Sequence, residues 1–221
     1  MNVTEALNSR FTCRAFKPQP LEKDTILAIL EAAKRAPSWA NTQPWEIFVA
    51  GGEDLESLRQ ACLENFRQGV PGNSDLPRAE EWPPHITRRV QSLMAARSQA
   101  LGIDRADETA RKTLAEQNHR FFGAPVVVYL CMERSLTPWS IHDLGMISQS
   151  IMLAAEERGV ASAIAYNLVI YPDLIRKAVD IPEDLAIIIG IALGYADTAN
   201  PQNDFRSSRR NVEEVVRFRG I

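Results

Sequence analysis

The chain has 221 residues, 45% hydrophobic and 24% charged, a length and balance that suit one globular domain and exclude wholesale disorder. With 25 Lys and Arg against 28 Asp and Glu, the net charge is −3, so no global field recruits nucleic acid or acidic lipid. Cys13, Cys62 and Cys131 lie far apart, with no Cys-x-x-Cys and none beside a histidine; this argues against a disulfide framework or zinc site and fits a reducing compartment. The longest apolar stretch, Leu185 to Ala196, is too short to span a bilayer. The opening MNVTEALNSR lacks the basic-then-apolar pattern of a signal peptide. A cytoplasmic protein of one domain, residues 1–221, is the expectation.

Asn2 to Asn8 reads as a short helix, with Val3, Ala6 and Leu7 on one face. Arg10 to Pro20 is irregular. From Leu21 to Arg35, Ile26, Ile29, Leu30 and Ala33 recur at helical spacing until Pro37. Glu46 to Ala50 is a short strand closed by Gly51-Gly52, and Leu55 to Phe66 a second amphipathic helix. Gln68 to Pro84, rich in Pro and Gly, reads as an excursion over the surface. Helices follow over Arg88 to Leu101 and Glu108 to Arg120. Pro125 to Met132 lacks polar alternation, the mark of a strand buried on both faces. Ser140 to Arg158 is a long helix in which Gly145, Ser148 and Ala154 permit close helix–helix contact. Ala161 to Tyr166 and Leu185 to Leu193 are further strands, separated by a helix around Leu174 to Val179. The tail ends in an apolar run, Val212, Val215, Val216 and Phe218, whose natural cover is another subunit.

No GxGxxG, P-loop, HExxH or GxSxG occurs. His85, His119 and His142 do not pair at metal spacing; His142 reads as packed or interfacial, His119 as solvated. Cys131 sits in a buried strand and Cys13 has no adjacent base, so neither reads as a nucleophile. If the chain is an enzyme, its reactive group is then expected to be a bound cofactor. Two segments carry a signal. In Arg10-Phe11-Thr12-Cys13-Arg14, an extended backbone puts Arg10, Thr12 and Arg14 on one face. Two guanidinium forks and a hydroxyl make a clamp for a phosphate or a ring edge; two surface arginines in a loop are the plainer alternative. In Ala36 to Trp45, Pro37 and Pro44 fix the backbone while Ser38, Asn41 and Gln43 stand between Trp39 and Trp45. Such a loop suits a flat heteroaromatic ring, unless it is only a turn that brings Trp45 into the core. Arg206, Ser207, Ser208, Arg209 and Arg210 add a basic cluster, solvated by default.

At these residues the chain resembles the FMN-dependent nitroreductase family. RFTCRAF is similar to that family's Arg-x-Ser-x-Arg/Lys-x-Phe opening, with Thr12 in place of serine. APSWANTQPWEIFVA is similar to its Pro-Ser-x-x-Asn-x-Gln-Pro-Trp segment, the most specific match. The likeness resumes at NHRFFGAPVVV, LAAEERGVAS and IPEDLAIIIGIALGYAD, and ends at FRSSRRNVEEVVRFRG; residues 68–112 are unmatched. It implies an α+β fold with a mixed, mainly antiparallel central sheet flanked by helices. It also implies a homodimer whose C-terminal segment, residues 200–221, crosses to the partner subunit. Two FMN molecules would lie at the interface. By position, Arg10, Phe11, Thr12 and Arg14 would meet the phosphate, ribityl chain and ring edge, and Arg209 the phosphate. Pro37, Ser38, Trp39 and Asn41 would approach from the other subunit. Asn118 is the candidate for the pyrimidine edge, with Arg120 its rival. Where many members carry Pro-x-Glu/Gln-Gly beside flavin N5, this chain has Ile164, Ala165, Tyr166 and Asn167, leaving backbone of Ala165 or Tyr166 for that bond.

The resemblance implies a ping-pong oxidoreductase that passes hydride from NADH or NADPH through the flavin to nitroaromatics or quinones. Arg14 would support negative charge on the ring, and residues 68–112 would cover the pocket, with Trp82 and Phe66 lining it. Flavin-dependent dehalogenation, as in iodotyrosine deiodinases, is an alternative weakened by the lack of any tyrosine before Tyr129. A flavin-fragmenting enzyme, a non-turnover FMN redox module and a ligand-free helical interaction protein are others.

Overall fold

Two apolar runs form the centre of the fold. In the computed structural model, which describes residues 1–221, β2 (Val126–Glu133) and β4 (Leu185–Gly194) pair antiparallel. β1 (Glu46–Gly51) lies outside β2 and β3 (Ala161–Ala165) outside β4, giving the order β1-β2-β4-β3. Every ladder is antiparallel; the sheet's one parallel element is the single bridge between Thr12 and Ser162.

Around it lie α1 (Val3–Ser9), α2 (Lys23–Ala33), α3 (Gly52–Arg67), α4 (Pro84–Ala100), α5 (Glu108–His119), α6 (Pro138–Glu157), α7 (Pro172–Val179) and α8 (Val212–Val215). Asn2 and Glu5 form a reciprocal capping box on α1. Where the structure departs from the expected boundaries, local chemistry accounts for it. α4 and α6 begin earlier, at prolines, whose missing N–H costs nothing in the first turn. Gly52, at φ +59°, turns β1 directly into α3 and brings that helix's start forward.

Every residue of β2 except Glu133 is buried, because both faces are covered. Val127, Tyr129 and Cys131 enter one core layer with Leu55, Leu58 and Ile175. Val126, Val128, Leu130 and Met132 enter the other with Ile29, Leu144, Ile147 and Ile151. β4 does the same with a change of frame. Leu185 and Ile187 share the first layer with Ala192, while Ala186 and Ile188 share the second with Ile191 and Leu193. Odd positions therefore exchange faces partway along. The cause is a bulge: Leu130 pairs with Ile189 and Cys131 with Ile187, which leaves Ile188 as the extra residue.

The excursion after α3 contains no regular element up to α4, yet its first half is anchored. The Asp75 carboxylate accepts from Arg176 Nη2 at 2.5 Å, Arg134 Nη2 at 2.7 Å and the Ile187 N–H at 2.8 Å. Arg176, 6% exposed, also donates to the carbonyls of Pro182 and Leu185. Tyr171 donates its hydroxyl to the Val70 carbonyl at 3.0 Å. By contrast α4 and α8 bury no residue at all. The tail exposes Val212, Phe218 and Ile221 at 62%, 72% and 97%.

Candidate functional site

Arg10 caps α1 in non-helical conformation and the chain then extends. Thr12 bridges Ser162 of β3, and the Cys13 N–H donates to the Ser162 carbonyl at 2.9 Å. Phe16 bridges Ala196, and the Lys17 N–H donates to the Tyr195 carbonyl at 2.8 Å. Gly194 permits this approach: a Cβ there would stand 2.5 Å from Pro125 Cδ and 3.0 Å from the Phe16 ring. Cys13 is fully buried between the half-buried Thr12 and Arg14, as the alternation of an extended segment requires. Asn203 locks the strip, accepting from the Arg14 N–H at 2.8 Å and donating to the Ala15 carbonyl at 2.7 Å.

The strip is short of negative charge. Neither Arg10 nor Arg14 nor the neighbouring Arg97 has a carboxylate partner. Burial first, and the charge of Arg97 second, pull Arg14 down to about 10. Arg10 Nε, Arg97 Nε and Ser162 Oγ are buried with no hydrogen-bond partner. Unpartnered buried donors of this kind are rare in a finished structure. The C-terminal stretch reaches the strip through Arg206, whose guanidinium lies 4.0 Å from the centre of the Phe11 ring. Arg209 takes another position: exposed, it donates to Ser207 Oγ at 2.8 Å and, with Arg206, Arg88 and Arg89, lines a cavity apart from that of Arg14. Arg206 was legible only as part of a basic run; the aromatic Phe11 between two arginines is the signal that it had a partner.

The second segment folds into a strained turn. Ser38 is extended, and Ala40, Asn41 and Gln43 have φ of 48°, 57° and 47°, a region that non-glycine residues hold only under constraint. The constraints are present. Ser38 Oγ accepts from the Gln43 N–H at 2.9 Å, and buried Asp143 on α6 accepts from the Trp39 N–H at 3.3 Å. Pro37 is exposed just before the turn. Trp45 packs against the second core layer, while Trp39 and Trp139 stand 67% and 64% exposed around a cavity of about 770 Å³. Asp143, missed in the sequence, sits in an otherwise apolar helical stripe, and that mismatch is its one local signal. Within one chain this turn and the arginine strip do not meet: no hydrogen bond joins them, and Arg14 and Trp39 face separate cavities.

Asn118 turns its amide back to the Leu114 carbonyl of its own helix at 3.2 Å, whereas Arg120 lines a cavity of about 370 Å³ with Arg14, Gln117 and Asp197. Ala165 ends β3 opposite Gly190. A Cβ at Gly190 would lie 2.6 Å from Leu168 Cβ, so that glycine seats the 3-10 turn Tyr166–Leu168 on the sheet. The Tyr166 hydroxyl lies 3.0 Å from Ser74 Oγ, and Arg78 covers its ring at 5.4 Å. His119, expected in solvent, is 4% exposed instead. It stacks on Phe66 at 4.2 Å between ring centres and accepts at Nε2 from the Asn167 amide at 3.2 Å. Phe66, half-buried, gives one face to that stack, and Trp82 is 47% exposed.

Burial pushes the thiol of Cys13 up to about 11 and those of Cys62 and Cys131 to about 12. No group of three metal-ligating residues occurs, and no helix is long and apolar enough to cross a membrane.

Comparison with known proteins agrees with this arrangement. The model of the nitroreductase family matches residues 7–195. The chain is 33% identical over 219 residues to a nitrobenzene nitroreductase of Ectopseudomonas oleovorans, covering 98% of this chain and 96% of that one. A 4-nitrobenzoate reductase of Pseudomonas putida is 29% identical over 217 residues, 96% of this chain and 93% of its own length. Among solved structures, the FMN and NADPH-dependent nitroreductase NfnB from Sphigopyxis sp. strain HMH superposes with a TM-score of 0.94 at 30% identity, each chain fully covered. NfnB from Mycobacterium smegmatis, in complex with NADPH, gives 0.91 at 29% identity, covering 99% and 100%. An α+β fold of four antiparallel strands, the arginine-bearing opening strip and a family match over most of the length lead to one conclusion: the chain belongs to the nitroreductase family.

Proposed function

We propose that the protein is an NAD(P)H-dependent FMN oxidoreductase that reduces nitroaromatic compounds. The observation that carries this reading is the strip of half-buried arginines with no carboxylate partner, beside the orphaned Arg10 Nε and Ser162 Oγ. A bound anion with further acceptor atoms satisfies such a donor set, and FMN fits it. Arg10, Phe11 and Thr12 would hold the phosphate and ribityl chain, joined by Arg206. Arg209 would join the phosphate through movement of the tail. Arg14 would stand at the pyrimidine edge of the ring, with Arg120 or Asn118, and backbone of Ala165 or Tyr166 at N5. FMN, when bound, supplies an acceptor and donor of hydride at N5. The chain's own work is to place the reactants and to hold positive charge where the reduced ring is anionic; Arg14 is suited to this because burial strengthens its field.

A homodimer completes the site. The turn with Pro37, Ser38, Trp39 and Asn41 is rigid and exposes its indole, yet lies apart from the strip of its own chain. A second copy would bring the two together, with the apolar tail crossing to cover the partner's exposed surface. Residues 68–112, anchored in their first half at Asp75, would form the cover over the pocket. Three buried free thiols fit a cytoplasmic setting.

The test is spectroscopic. Purified protein is expected to carry a yellow chromophore that NADPH or NADH bleaches without air and nitrobenzene restores. Protein that stays colourless after refolding with FMN would overturn the reading, and bound flavin that neither nicotinamide reduces would leave a binding module. Deleting residues 211–221 is expected to weaken the dimer and FMN retention together; a truncated chain that stays dimeric and flavin-loaded removes the arm exchange.

A further inference from the structure

The 3-10 turn Tyr166–Leu168 is held from three directions. So short a turn has poor hydrogen-bond geometry of its own, and it closes on one bond from the Val169 N–H to the Tyr166 carbonyl at 3.0 Å. Leu168 is seated over Gly190, the Asn167 amide donates to His119, and the Tyr166 hydroxyl meets Ser74. A proton count fixes the sense of the last contact. Ser74 Oγ gives its single proton to the Leu76 carbonyl at 2.9 Å, so toward Tyr166 it accepts, and the phenol proton is committed to it.

Both side-chain partners are themselves fixed. The Asn73 N–H donates to the Ile170 carbonyl at 3.0 Å, and its amide to Asp173 at 3.3 Å. A Cβ at Gly72 would stand 2.2 Å from Ile170 Cγ1, so the glycine is what lets the chain lie this close. Asp75 is bound by Arg176 and Arg134. Ser74 thus sits in a strap, residues 70–76, stitched to the chain from Tyr166 to Arg176. His119 ends α5 and lies against Phe66 and Tyr171, with ring centres 4.2 and 6.1 Å away.

We infer that Ser74 and His119 are positioning residues for flavin reduction: they pin consecutive side chains of this turn and so fix the backbone at Ala165 and Tyr166 for the edge of the ring. The inference rests on the reading of the protein as an FMN reductase. It makes the first half of the excursion a buttress for the site, and it takes Tyr166 out of proton transfer, since the phenol proton is already committed. Flavin N5 only accepts in the oxidised ring and carries a hydrogen in the reduced one. A fixed N–H at that edge therefore favours the oxidised form, and a loosened turn favours it less.

The test compares Ser74→Ala, His119→Leu and His119→Gln with the parent, all loaded with FMN. Hydrogen exchange of the Val169 amide reports opening of the turn. Ser74→Ala and His119→Leu are each expected to speed it about threefold to tenfold, the loss of one hydrogen bond. His119→Gln keeps an acceptor for Asn167 and should stay within about twofold of the parent. The midpoint potential of the bound flavin should rise in the first two variants by about 15–30 mV, a change of about threefold to tenfold in the ratio of affinities for oxidised and reduced FMN, and return in the third. Parental exchange in Ser74→Ala overturns the role of Ser74, and a His119→Gln variant as fast as His119→Leu overturns that of His119. Faster exchange with an unchanged or lowered potential makes the tethers purely structural and overturns both. Tyr166→Phe is the counter-test: a fall in kcat with parental exchange would make the phenol a proton donor, and the inference falls. A parent that takes up no FMN fails the functional reading and the inference with it, whereas every other failure leaves the flavin bound.

Discussion

β2 and α4 are built on opposite terms. β2 presents apolar side chains to two core layers and hides all but its last residue, whereas α4 lies on the rim, buries nothing and turns arginines toward the tail. The strand is held by burial, worth about 25 cal/mol for each Å² of apolar surface removed from water. The helix and tail have little of that term, and what they share is unpaired positive charge. Order at the centre rests on apolar burial; at the rim little of that burial contributes.

Denaturation should expose that contrast first. Arg176→Ala removes a buried cation and strands Asp75 with Arg134 and the Ile187 N–H; a loss of about 3–5 kcal/mol is expected from urea unfolding. Arg89→Gln on the rim should lie within about 0.5 kcal/mol of the parent in the same experiment. Comparable losses from the two would erase the distinction between centre and rim. Next in size is Arg10→Ala. If its guanidinium holds the cofactor phosphate, FMN affinity should fall by about 1.5–3 kcal/mol, read by fluorescence titration of apoprotein, and unchanged affinity would show the strip to be misassigned.

The smallest effect concerns pH. Burial lowers the pKa of His119 in the folded protein, so the unfolded chain takes the proton more readily. This part of the stability is complete above about pH 6.5, the unfolded value, and is lost as pH falls below it. His119→Gln keeps an acceptor for Asn167 and should flatten the change in urea midpoint between about pH 7.5 and about pH 5.5. Parallel profiles for parent and variant would return His119 to solvent, where its sequence context had put it.

That misplacement marks where legibility in the sequence ends. The strands and long helices could be read because their apolar periods are local, and the arginine strip and strained turn because their residue types are unusual at short range. Asp75 and Arg176 meet across 101 positions, and nothing near either residue announces the other. His119 ends a polar helix, and its burial depends on Phe66 and Asn167, which come from elsewhere. That Arg206 lies over Phe11 while Arg209 does not depends on backbone direction in a tail with no periodic signal.

The bulge at Ile188 has an engineering corollary. Removing that one residue would restore uninterrupted alternation to β4 with Leu185, Ala186 and Ile187 on their present faces, at the cost of the Ile188 side chain in the second core layer and of the bend that the extra residue gives the strand. Libraries that shuffle segments of this fold should therefore keep the stretch from Leu185 to Ile191 together, since an insertion, or a deletion away from the bulge, would turn one half of the strand over against the other.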